Sequence, residues 1–271
     1  MIDASTLTLQ RSLDFPAASV ALEQFGLRFR DGGPHNSRTM MLKELDALLA
    51  AVPVGSTALE YRAAILERNA LGKQTRSNRQ KSQSHLRELY ALDETTPIFG
   101  LLRKLYALDS ASLPLLALQI AWARDPLLRA TTGPVLHARE GDQVDTAALA
   151  EAIESKFPGQ YSPASRLSTS QNAASSWTQS GHLAGRRKKI RRRVRPTAVS
   201  LTMALFLGTV SGYHGPAVFS NPWCRLLDLD ADRARAMGFE AHRAGLLTLR
   251  AVGEVVELSF PQLNEFQGQF A

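Results

Sequence analysis

Ten consecutive residues, 186–195, hold eight cations: Arg186, Arg187, Lys188, Lys189, Arg191, Arg192, Arg193 and Arg195. The formal charge of the chain is +7, and without these eight it would be −1. The net basicity is therefore local rather than a general property of the surface. A strip this dense releases counterions from a polyanion, which is the electrostatic footprint of nucleic-acid binding. A solvated linker and a targeting signal are the other readings of such a run.

At 271 residues and 44% apolar content, the chain holds one large domain or two small ones with ordinary buried cores. A single cysteine, Cys224, excludes an intramolecular disulfide and a multi-cysteine zinc cluster, and it suits a reducing compartment. The start Met1-Ile2-Asp3-Ala4 lacks the basic-then-apolar pattern of a secretory signal, so a cytoplasmic location is expected. The apolar run 198–210 follows the basic strip in the way a membrane span follows its cytoplasmic flank. It is too short. A helix over 198–212 rises roughly 22 Å, and a bilayer core asks for about 20 apolar residues. Diluted by Ser200, Thr202, Thr209 and Ser211, it reads as a buried helix, and no membrane contact is expected.

Helix signals dominate the first half. Ser37 is a candidate cap for a helix ended near Pro53, Thr57 for one stopped at Gly72, and Thr75 or Ser77 for one running to about Leu92. Thr96-Pro97 opens a helix to about Leu108, and 113–123 and 126–136 read as two more. The polar stretch 139–144 is the candidate domain boundary. Beyond it, helices are predicted over 147–157, 163–183, 197–212 and 230–244, followed by a hairpin over 246–260. The expectation is a mostly α-helical protein of two helical domains, 1–138 and 145–271, with helix-turn-helix or winged-helix units and a short C-terminal β-hairpin.

Short helix, tight turn, polar helix, basic strip is the order of a winged helix-turn-helix. The polar helix from Pro163 is rich in short hydrogen-bonding side chains that suit phosphate oxygens and base edges. Arg166, Gln171, Asn172 and Gln179 are its candidate contacts, with Leu167, Ala174 and Trp177 facing inward. The strip then forms the wing, or a strand leading from it. A poor, partly disordered helix beside a flexible loop is the plainer reading. A second candidate unit lies at 57–92. Its stretch 73–87 carries Lys73, Arg76, Arg79, Lys81 and Arg87 with no acid. Lys73, Arg76, Arg79 and Lys81 are taken as contacts, against the alternative of a solvated charged helix. The final hairpin follows a helix holding Asp230, Asp232 and Glu240, acids that would oppose phosphates, so it is read as packing.

Three stretches carry a family likeness: Leu66-Glu67-Arg68-Asn69-Ala70-Leu71-Gly72-Lys73-Gln74-Thr75-Arg76-Ser77, the Ser/Thr helix with its basic follow-on, and Asn221-Pro222-Trp223-Cys224-Arg225-Leu226-Leu227-Asp228-Leu229 with the helix and hairpin after it. In this order they resemble the BrxA family of bacterial BREX phage-defence systems, over roughly 37–260. The resemblance implies a non-enzymatic, mostly helical protein that binds double-stranded DNA and works beside other BREX proteins. It supplies no contact residues.

The six histidines are scattered singly, none at metal-ligand spacing with a cysteine or another histidine. There is no Gly-x-Ser-x-Gly elbow and no phosphate loop. Cys224 has no identifiable partner base, so a buried core thiol is the expectation. Neither enzyme activity, cofactor nor metal is expected. Two functional expectations stand: a phosphate-contacting DNA binder, and an adaptor whose strip docks an acidic protein or RNA.

Overall fold

Side-chain caps set most of the helix starts. Thr57, Thr75, Ser162, Thr197 and Asp230 each accept a backbone N–H from the first turn that follows. Thr57 and Thr197 close full capping boxes. The computed structural model describes residues 14–252 and 255–267. In chain order these form α1 (Val20–Phe25), α2 (Leu42–Ala51), α3 (Ala58–Leu66), α4 (Arg76–Tyr90), α5 (Pro97–Leu108) and α6 (Leu113–Arg124). There follow α7 (Pro126–Ala130), α8 (Thr132–Leu136), α9 (Thr146–Lys156), α10 (Pro163–Gln179), β1 (Leu183–Ala184) and β2 (Ile190–Arg191). The chain closes with α11 (Ala198–Val210), α12 (Pro222–Leu226), α13 (Ala231–Arg243), β3 (Thr248–Val252), β4 (Val255–Ser259) and α14 (Asn264–Gln267). The protein is mostly α-helical, with a short antiparallel β3–β4 hairpin near its end.

The apolar run that follows the basic strip is the axis of the core. Every residue of α11 from Val199 to Gly208 is buried, against α5, α6, α12 and α13. Gly208 admits Asn221 closely: a Cβ there would sit 2.3 Å from Asn221 Nδ2. Asn221 in turn caps α12 and donates to Ala204 O (3.1 Å) and Val218 O (2.7 Å). Among the described residues no helix is long and apolar enough to cross a membrane. Cys224 is fully buried in this region, and burial pushes its thiol up from the usual range. The stretch 139–144 does not part the core. One apolar cluster runs from Leu22 to Leu263, and Trp122 meets Trp223 edge-on at 5.6 Å across it.

Three expectations are corrected, and one helix is added. The helix predicted from Ser37 begins at Leu42; Ser37 ends a 3-10 turn, Pro34–Asn36. Buried contacts hold the intervening chain out of the helix: Met40 N–H donates to Ser176 Oγ at 2.8 Å and Met40 O accepts from Tyr90 at 2.5 Å. The helix predicted over 126–136 breaks at Thr131, whose hydroxyl donates to Leu128 O and accepts the Trp177 indole N–H. The polar helix stops at Gln179, short of residue 183. A helix not predicted, α1, is capped by Ser19 and ended by Gly26 at φ +116°, the left-handed region that favours glycine.

Candidate nucleic-acid interface

Helices α9 and α10 pack on each other across the turn 157–162, and β1 and β2 follow as a hairpin. A third strand segment joins the hairpin. Gln143 bridges Ile190, Val144 N–H donates to Lys189 O (2.8 Å), and Gly141 N–H and Asp142 O bond Arg191. Ile190 and Arg191 of the basic strip therefore lie between β1 and segment 141–144, and residues 186–188 form the hairpin tip. Gly185 makes the turn: its φ is +96°, and a Cβ there would lie 2.2 Å from Lys188 O.

A serine-rich segment is a weak helix on propensity alone, and two features hold α10. Ser170, Ser176 and Thr178 donate back to the carbonyls of Leu167, Asn172 and Ala174, so these hydroxyls are satisfied within the helix. Ala173, Ala174 and Trp177 are buried beneath it. Leu167, expected to face inward, is instead 49% exposed in a groove between α9 and α10. The outward face carries Ser168, Gln171, Ser175 and Thr178, and no acid occurs anywhere in α10. Lys189 ties the hairpin to this face, donating to Thr178 Oγ1 at 2.9 Å, and burial lowers its pKa.

The strip is not uniform. Arg186, Arg187, Lys188, Arg192 and Arg195 are exposed, and none has an acid partner among the described residues. Arg191 is fully enclosed, which corrects its expected role at phosphates. Its guanidinium pairs with Asp228 and bonds the carbonyls of His182 and Arg192. Arg193 reaches the same carboxylate at 3.1 Å, and Val194 N–H donates to it at 3.0 Å. Two of the eight cations are thus engaged with one carboxylate. His182 lies beneath, its rings bonded to Leu226 O (2.8 Å) and Ser180 Oγ (2.9 Å). Burial holds its pKa down at about 4, with Arg191 adding to that and Asp228 opposing it.

Of the four residues expected to read bases or sugars, only Gln171 is exposed. Arg166 pairs with Glu154 of α9 at 2.5 Å. Asn172 donates to His35 O at 3.0 Å, and Gln179 accepts Leu42 N–H at 3.0 Å, satisfying the start of α2. In the first half, Lys73 pairs with Glu44 at 2.7 Å and Arg79 donates to Leu66 O at 2.8 Å, while Arg76 and Lys81 stand exposed. The two halves meet at a groove of about 380 Å³ lined by Arg38, Lys73, Asn78 and Ser82 on one side and Asn172 of α10 on the other. Arg38 was missed in the sequence, because a lone exposed arginine in a loop carries no periodic signal.

A buried polar chain, also missed, fastens the N-terminal half to α10. Asp125 accepts from His35 N–H (2.9 Å) and lies 2.6 Å from His35 Nδ1; His35 Nε2 lies 2.8 Å from Ser176 Oγ. The order Asp-His-Ser is that of a hydrolase triad, but all three side chains are fully enclosed and Ser176 Oγ already accepts Met40 N–H. Among the described residues no group of three His, Cys, Asp or Glu side chains is placed to hold a metal ion. No protein-family model matches the chain, and no curated protein does either.

Proposed function

We propose that the protein binds double-stranded DNA through the α9–α10 winged helix. The outward face of α10 enters a groove, and the wing tip lies along phosphates. One observation carries the reading. An acid-free helix face of serine, threonine and glutamine stands beside exposed cations that, among the described residues, pair with no carboxylate. Phosphate contacts of this kind position a protein, and short polar side chains reach base edges. Arg76 and Lys81 extend the interface on α4, beyond the groove the two helices share. The resemblance to the BrxA family adds the setting: a cytoplasmic, non-enzymatic component of a BREX phage-defence system, acting beside other BREX proteins.

The test is fluorescence anisotropy of the full chain on a mixed-sequence duplex of about three helical turns, repeated across a salt series. Tight binding that weakens steeply with salt is expected. No binding at low salt overturns the proposal. A second reading, an adaptor that docks an acidic protein or RNA, draws on the half-exposed Leu167 in its groove of about 590 Å³. It predicts that a structured RNA outcompetes the duplex at matched salt, or that wing substitutions leave duplex affinity unchanged.

A further inference from the structure

A second basic place lies away from the wing. The cleft between segment 26–30, the C-terminal half of α4 and the start of α5 encloses about 650 Å³ and is lined by Arg28, Arg30, Arg87 and Arg124. Arg124 lies deepest, 8% exposed. Its Nε donates to Glu88 O at 3.2 Å and its Nη1 to Gly26 O, both uncharged acceptors. Arg28 also donates to Glu88 O at 3.4 Å and reaches the Glu88 carboxylate at 3.3 Å. Two guanidiniums thus converge on one residue with one carboxylate. Burial lowers the Arg124 pKa to about 10, with the Arg28 charge adding to it and Glu88 opposing. Arg30 and Arg87 are exposed at the mouth, without an acid partner among the described residues. Glu23 and Asp93 complete the charged lining, so four arginines face three carboxylates.

A buried guanidinium held only by carbonyls, with a second cation beside it, is short of an anion. Arginine forks match the planar oxygen pairs of phosphate. The volume lies within the range of small-molecule sites. Arg87 also ends an exposed ridge on α4, Arg76-Gln80-Ser84-Arg87, which would lead a polynucleotide backbone to the same place. We propose that this cleft binds a phosphate group among Arg28, Arg30, Arg87 and Arg124. The proposal does not depend on the winged-helix reading, since it uses other elements.

The experiment is calorimetric titration of the full chain with inorganic pyrophosphate at low ionic strength, alongside duplex salt slopes. It compares wild type, the rim variant Arg30→Ala/Arg87→Ala and the wing variant Arg186→Ala/Arg187→Ala/Lys188→Ala. The rim positions are exposed, so folding is retained where Arg124→Gln would endanger it. Pyrophosphate binding that weakens at least tenfold in the rim variant and not in the wing variant supports the site. Should the duplex displace pyrophosphate, or the rim variant flatten the duplex slope by about 1.8 for two lost contacts, the phosphate is that of a polynucleotide. If pyrophosphate stays bound at saturating duplex, the ligand is a free phosphate compound. The proposal is overturned if the rim variant changes neither pyrophosphate binding nor the duplex slope.

Discussion

Arg191→Met and Arg192→Ala, neighbours in one basic run, are expected to have opposite effects. The Arg191 side chain has no exposure and its Asp228 partner has 4%. Removing the guanidinium leaves a buried carboxylate short of its closest cation, and breaking such a pair typically destabilises by about 3–5 kcal/mol. Here the loss falls at the lower end, about 3 kcal/mol, because Arg193 at 3.1 Å and Val194 N–H at 3.0 Å still hold Asp228. Arg191→Met/Asp228→Asn removes both charges and should recover most of that loss. Arg192 is exposed and acid-free, so its alanine variant should change stability by no more than about 0.5 kcal/mol. It should reduce the slope of log K against log salt by about 0.9, one phosphate contact, while Arg191→Met leaves the slope unchanged. Urea unfolding followed by the fluorescence of the buried tryptophans reads the first quantity, and duplex anisotropy across salt reads the second. A loss under about 1 kcal/mol for Arg191→Met, or a slope change equal to that of Arg192→Ala, would refute the division of the strip into buried and exposed cations.

Three further outcomes follow from the geometry. His182 is held neutral, so the unfolded chain takes up a proton below about 6.5 and the folded one only near 4. Stability is therefore intact above the unfolded value and falls by on the order of 3 kcal/mol as pH drops to 4; urea midpoints should show this in wild type and lose it in His182→Gln. Gly185→Ala forces the turn away from φ +96° and Lys188 O; a loss of about 1 kcal/mol or more with a flatter duplex slope is expected, and an unchanged slope would detach the tip from binding. Ser176→Ala strands Met40 N–H and the His35 ring, so about 1–3 kcal/mol should be lost in urea unfolding; a neutral substitution would contradict its fastening role.

Local chemistry in the sequence anticipates much of the fold. Thr57, Thr75, Ser162-Pro163, Thr197 and Asp230 mark helix starts that the structure keeps, and the C-terminal hairpin and the buried α11 lie where their patterns place them. What escaped depends on partners remote in sequence. A run of eight cations looks uniform until Asp228, 37 residues from Arg191, engages two of them. His35 meets Ser176 across 141 positions, and Asn172 and Gln179 meet the 35–42 segment across 137. Polar residues on a predicted recognition face gave no sign of which would be committed to the fold. The segment that joins the β1–β2 hairpin rests on a single bridge at Gln143, too short to leave an alternating pattern.

The salt slope of duplex binding in the wing-tip variant Arg186→Ala/Arg187→Ala/Lys188→Ala tests the DNA-binding account most directly. With three phosphate contacts removed, the slope should fall by about 2.7, with little change in the urea midpoint. A slope equal to that of wild type would contradict the account and remove the wing from the DNA.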